Sequence, residues 1–143
     1  MLGTKVKTLD RYNHYWNSRD AAFVTELFSE DATFLDPFLD APLRGKQAIR
    51  NHLTRFFAAF PDYRVDDAGT RVVRADHEAV FLQRAAGTLT GILQRPNGPI
   101  QPPTNKPFAA DLAVHVVLNR DGLIQALRAY GDAGGVRRQL GIA

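Results

Sequence analysis

The side chains able to do chemistry in this chain are carboxylates, phenols and imidazoles. None of the 143 residues is a cysteine, which excludes thiol catalysis, cysteine-ligated metal and disulfides. Four histidines are present, His14, His52, His77 and His115. None of them shows metal-ligand spacing, such as a pair at i and i+4. No serine stands in a nucleophile elbow, and Gly98 and Gly134-Gly135 do not follow a phosphate-loop pattern. No metal, nucleotide, other cofactor or covalent intermediate is expected. Three residues are weighed for what their side chains allow, and the roles they take follow from the resemblance given below. Asp36 comes immediately before Pro37, and a carboxylate on a pocket wall can take a proton from a carbon beside a carbonyl. Tyr12 can donate its phenol hydrogen to an oxyanion as the charge forms. His115 can donate one ring hydrogen without ionising. Each also has a plainer reading. Asp-Pro starts turns, Tyr12 fits a buried helix stripe with Tyr15 just off its face, and His115 suits a half-buried strand or a dimer face. Asp31 and Asp40 flank Asp36, but a loop separates Asp40, and Glu30-Asp31 reads as a solvated pair at a helix end.

The elements that must position these groups are legible from periodicity. Val6, Leu9, Tyr12 and Trp16 recur at helical spacing over 5–17, with Thr4 as a cap. Asp20 caps a second, shorter helix with Phe23, Val24, Leu27 and Phe28 on its buried side. A strand over 32–36 ends at Pro37, which lacks a backbone donor. After a loop over 38–45, a third helix over 46–59 carries Ile49, Leu53, Phe56, Phe57 and Phe60 in a broad stripe and stops at Pro61. Strands follow at 64–75, 78–90, 106–119 and 123–130, joined in two places by the short turns Asp76-His77 and Arg120-Asp121-Gly122. The strand at 106–119 alternates cleanly: Phe108, Ala110, Leu112, Val114, Val116 and Leu118 share one face, while Asp111 and His115 sit on a mixed one. A last helix over 133–140 ends at Gly141. Residues 91–105, with four prolines, form a long connection. It reads equally as a flap over a pocket mouth or as an exposed excursion of the sheet edge. Helices first and antiparallel strands after give α+β architecture in a single domain over 1–143.

Two segments resemble known families. The run Phe28-Ser29-Glu30-Asp31-Ala32-Thr33-Phe34-Leu35-Asp36-Pro37, with Pro42-Leu43-Arg44-Gly45 after it, resembles the opening of ketosteroid isomerases. The run Asn119-Arg120-Asp121-Gly122-Leu123-Ile124, with Tyr130-Gly131-Asp132 and Gln139-Leu140-Gly141, resembles the SnoaL-like polyketide cyclases. Both belong to the nuclear transport factor 2-like superfamily. The resemblance implies a cone: a curved antiparallel sheet with three N-terminal helices enclosing a pocket. It implies Asp36 as the base and Tyr12 as an oxyanion donor. For the second oxyanion position, which a protonated aspartate fills in ketosteroid isomerases, it leaves two alignments, His115 or Val114. The aspartate that SnoaL-like cyclases carry on the last strand corresponds to Ala129, and Asp132 matches another of theirs.

These readings point to a small-molecule enzyme that moves a proton on an apolar carbonyl compound, by isomerisation, cyclisation or dehydration. A ligand-binding or assembly domain without catalysis is the rival. An epoxide hydrolase would need a carboxylate–arginine–carboxylate set, with Arg44, Arg84 or Arg128 as the arginine. The expected partners are a small apolar ligand and a second copy of the chain, paired through the convex face of the sheet. The net charge of +3 is scattered, with Arg137-Arg138 the densest pair, which speaks against nucleic acid. There is no apolar run long enough to span a membrane and no signal-peptide stretch in 1–10, so the expected location is cytoplasmic.

Overall fold

Asp20 and Pro37 set the first half of the molecule. The computed structural model describes residues 2–96 and 98–142, with side chains from Thr8 onward. Helix α1 (Leu2–Asn17) begins two residues ahead of Thr4, so Thr4 is not its cap. It buries Leu9, Tyr12 and Trp16. Arg19, at φ 56°, turns the chain. The Asp20 carboxylate accepts the Phe23 N–H at 3.1 Å and starts α2 (Ala21–Thr25). The two helices meet where Tyr15 stacks on Phe23, with 3.9 Å between ring centroids. Strand β1 (Phe28–Leu35) starts earlier than its sequence suggests. Phe28 pairs with Ile124 in the sheet instead of ending α2, and Glu30-Asp31 are exposed strand residues instead of a helix end.

Strand β2 (Leu43–Arg44) leads into helix α3 (Lys46–Ala59). Its entry residue Gly45 has φ 95°, a conformation that only glycine adopts without strain. Ile49, Leu53, Phe56 and Phe57 are buried along the expected stripe. The expected strand over 64–75 is two pieces, β3 (Arg64–Val65) and β4 (Arg71–Arg74). Between them the Asp66 carboxylate accepts the Gly69 N–H, and Thr70 N–H bonds Asp67 O, a turn that breaks the ladder. Strands β5 (Glu78–Thr88), β6 (Pro107–Leu118) and β7 (Ile124–Tyr130) are long. Helix α4 (Ala133–Leu140) is capped by Asp132 and ends at Gly141, with φ 74°.

The strands form one curved, unclosed sheet in the order β2-β1-β7-β6-β5-β3, with β4 also on β5. Its pairs are antiparallel except β1–β7, which is parallel. This is the expected α+β cone, with α1–α3 on the concave side. The aromatic core lies between them, Phe56 within 5.1 Å of Phe60 and 5.0 Å of Tyr63 by ring centroid. No described helix is long and apolar enough to cross a membrane.

Candidate active site

Asp36 leaves the end of β1 with its two oxygens held separately. Oδ1 accepts the Phe38 N–H at 2.8 Å, so the turn expected of Asp-Pro does form. Oδ2 lies 2.8 Å from Nε2 of His52. His52 projects from α3 and is 3% exposed, with Phe34 and Phe56 beside its ring. Its Nδ1 is buried without a hydrogen-bond partner. With a hydrogen on Nε2, His52 can donate to the carboxylate and orient it.

Asp36 borders a narrow cavity of about 60 Å³ between α1, α3 and the concave sheet face. One water needs roughly 10–15 Å³ measured in the same way, so the space suits a small ligand. Most of its wall is apolar: Phe34, Phe38, Leu53, Phe108 and Leu112 among others. Tyr12, Trp16, Tyr63 and Gln83 add polar atoms to it. The Tyr12 ring is stacked on Phe81 at 4.4 Å. Burial holds its phenol well above the ordinary tyrosine range, and nearby Tyr63 adds to this. The Trp16 indole N–H pulls slightly the other way. That N–H is near the phenol oxygen but short of hydrogen-bond geometry, and it is a buried donor without an acceptor. Tyr63 is raised too, first by burial and then by the negative charge of Asp36. Both phenols thus stay protonated, as donors, through the physiological range. Asp132 borders the cavity from the cap of α4, where Oδ1 accepts the Gly135 N–H at 2.9 Å. Among the described residues no group of three or more His, Asp or Glu could hold a metal ion.

A known family, the SnoaL-like domain, matches residues 9–127. The chain belongs to that family. No curated protein matches the SnoaL-like chain, but solved structures do. A candidate SnoaL-like polyketide cyclase from Jannaschia sp. CCS1 superposes with a TM-score of 0.78 at 16% identity, covering 99% of this chain and 94% of the other. A protein of ketosteroid isomerase-like fold from Catenulispora acidiphila, in complex with trimethylamine, gives 0.74 at 18% identity, covering 95% and 93%. A phenazine biosynthesis-related protein from Pseudomonas aeruginosa gives 0.72 at 20%, covering 99% and 90%. At these identities the likeness is one of fold.

In the structure two of the three expected residues converge: Asp36 and Tyr12 border the same cavity. His115 does not join them. On β6 it is Val114 that faces the cavity, with Ala129 of β7 beside it. Side chains alternate along a strand, so His115 faces the other side. There it lies 3.7 Å from Glu78 and borders a separate hollow with Thr33, Pro42 and Arg128. Tyr15 is also outside the cavity, packed on α2. The three arginines weighed for an epoxide-opening set are elsewhere: Arg84 pairs with Asp111 at 3.0 Å, Arg128 lies over Tyr130, and Arg44 is exposed on β2. Among the described residues no arginine borders the cavity.

Sequence reasoning missed His52, Tyr63 and Trp16 as polar members of the site. For His52 a signal existed. It lies three residues after Ile49 and four before Phe56, on the apolar stripe of α3. A polar group on a buried stripe requires a partner. Metal-ligand spacing, taken as the sole criterion for a histidine, passes over it.

Proposed function

We propose that this SnoaL-like protein is a cofactor-independent enzyme that moves a proton on a small apolar carbonyl compound. One observation carries the reading: a carboxylate held by two hydrogen bonds borders the same narrow, apolar cavity as a buried donor, the Trp16 indole N–H, that has no protein acceptor. Unmatched buried donors cost stability. A cavity that keeps one beside a carboxylate, the Trp16 N–H, is suited to an oxyanion that exists only during reaction. Asp36 takes the proton from the carbon next to the carbonyl. The Tyr12 O–H and the Trp16 N–H then meet the enolate oxygen, with Tyr63 close by. Returning the proton to another carbon gives isomerisation. Attack of the enolate carbon on a second carbonyl, whose oxygen takes the proton from Asp36, gives cyclisation, and loss of a β-hydroxyl as water, carrying off that proton, gives dehydration. The neighbour described as a candidate polyketide cyclase supports this range of reactions without selecting among them. We take the location as cytoplasmic.

The test is solvent-deuterium exchange at the α-carbon of enolisable ketones, polyketide-like esters and hydroxy-ketones, read by NMR. Asp36→Asn should slow exchange by ~10²–10⁴-fold while leaving ligand affinity nearly unchanged. Full activity in that variant would remove Asp36 from the role and turn attention to Asp132. The rival, a binding domain without turnover, draws on the apolar Val114 and Ala129 at positions where related enzymes carry acids. It predicts no exchange on any of these compounds and an effect of Asp36→Asn on affinity alone.

The protein is further taken to be a homodimer joined through the convex sheet face. Val73, Leu82 and Tyr130 are 53%, 38% and 50% exposed there, and open apolar sheet surface of this kind marks interfaces. Light scattering at micromolar concentration should give twice the monomer mass; a monomer mass would rule the arrangement out.

A further inference from the structure

A second cavity, of about 260 Å³, lies directly outside the first. The two share Pro37, Phe38 and Val136 as a common wall, so Phe38 stands between the reactive chamber and this vestibule. The outer wall comes from the 91–105 loop and from α4. The loop is anchored there: Leu93 and Gln101 exchange two backbone hydrogen bonds at 2.9 Å, Leu93 is buried, and Gly91 N–H bonds Ala59 O at 3.1 Å. Two arginines border the vestibule, Arg95 from the loop and Arg137 from α4, and among the described residues no carboxylate side chain does.

Arg95 is half-buried and has no ion pair or hydrogen bond among the described residues. Asp40 borders an adjoining cleft together with Arg95, yet the two make no ion pair within 4.0 Å. The absence of a side chain at Gly98 leaves the guanidinium its space: a Cβ there would come within 3.1 Å of Arg95 Nε. A solvated loop arginine is the ordinary alternative. Against it stand the partial burial, the second arginine and the apolar surroundings, in which a guanidinium and a carboxylate attract more strongly than in water.

We propose that the vestibule holds the carboxylate of the substrate, which is then a small apolar keto acid. This rests on the proton-transfer reading for the inner chamber. The anionic end binds at Arg95, with Arg137 adding positive charge, and the carbonyl end passes Phe38 to reach Asp36. Charge at the two ends fixes the direction of entry, since Arg95 attracts the carboxylate and Asp36 repels it.

The sole tryptophan, Trp16, borders the inner chamber, so its fluorescence reports binding without turnover. Hexanoate and its neutral analogue hexanamide are the probes. Hexanoate should bind roughly 10–100-fold more tightly. Arg95→Gln should abolish that preference while leaving hexanamide affinity unchanged, and Arg137→Gln should reduce it. Arg50→Gln, on the exposed side of α3, should not alter it, which controls for net charge. Circular dichroism checks that each variant is folded. Equal affinity for the two probes, a preference that survives Arg95→Gln, or no saturable response to hexanoate overturns the proposal. Inorganic phosphate competing as well as hexanoate would overturn the keto-acid assignment. Deuterium exchange is scored separately, so carboxylate preference without exchange sinks only the proton-transfer reading, and exchange without preference sinks only the vestibule.

Discussion

Val114 and His115 are adjacent in the chain and lie on opposite sides of the sheet, in regions that treat polar groups differently. On the outer side polar groups engage one another: Arg84 with Asp111, His115 near Glu78, Arg128 over the Tyr130 ring. On the inner side Asp36 is a carboxylate held by bonds to its neighbours, and the Trp16 indole has no acceptor. The density of ionisable residues is therefore a poor guide to chemistry in this molecule. The outer face has more of them, but they are engaged with each other in water. The inner face has few, in apolar surroundings, with hydrogen-bonding capacity unspent.

The sharpest test of this contrast pairs two aspartates. Asp36→Asn carries the ~10²–10⁴-fold loss of exchange expected for a general base, whereas Asp111→Asn, on the outer face, should leave the rate unchanged. A comparable loss in both would mean that the faces have been misassigned. Next in size is packing. Phe56, 6% exposed on the inner side, should cost roughly 3–5 kcal/mol when cut to Ala. Val73→Ser on the exposed side should stay within about 0.5 kcal/mol in a monomeric sample. Urea denaturation measures both, and a cost under about 1 kcal/mol for Phe56→Ala would show that it is not a core residue.

Alkaline pH separates the faces by a smaller margin. The folded protein keeps the Tyr12 and Tyr63 protons above the ordinary range, while the unfolded chain releases them near pH 10. Their contribution to stability is complete below about pH 10. Above it, stability falls by up to about 1.4 kcal/mol per pH unit for each tyrosine. Urea midpoints followed upward from about pH 9 should show the fall, and a Tyr12→Phe/Tyr63→Phe double variant should lose that component. An identical slope in the double variant would remove both phenols from the account. The smallest effect concerns His115. His115→Ala should leave exchange kinetics intact and act, if at all, on dimerisation in light scattering; a rate loss would return it to the reaction.

Much of this was legible in the sequence. The alternation of β6 placed Phe108, Ala110, Leu112 and Val114 on one face, and these four line the cavity while Val116 and Leu118 lie beyond it; Leu53 and Phe56 of the α3 stripe line it too, and Pro37 marked where β1 would release Asp36. The failures have physical causes. Periodicity separates the faces of β6, but a family alignment with an ambiguous gap moved His115 onto the wrong one. Asp36 and His52 are sixteen residues apart on a strand and a helix, and only the packing of α3 on β1 joins them. The division of β3 from β4 follows from side-chain-to-backbone bonds at Asp66, which compete with a ladder that looked continuous. The vestibule was half visible, since the length of the 91–105 loop raised a flap, but the direction of Arg95 depends on a backbone route that no local pattern fixes.

The parallel pairing of β1 with β7 also constrains how the protein is made. Phe28 meets Ile124 across about two thirds of the chain, and closing a loop of roughly a hundred residues costs about 4 kcal/mol of entropy beyond a constant. Neither strand secures the other during early synthesis on the ribosome. β5 and β6 are joined over a shorter span and can pair without β1, but the parallel contact must wait until β7 has emerged. Asp36, at the last residue before the turn out of β1, is therefore among the last groups to reach its place. Until then the apolar lining of the cavity lacks one of its walls, and the nascent chain depends on fast docking or on chaperones to keep that surface from other molecules.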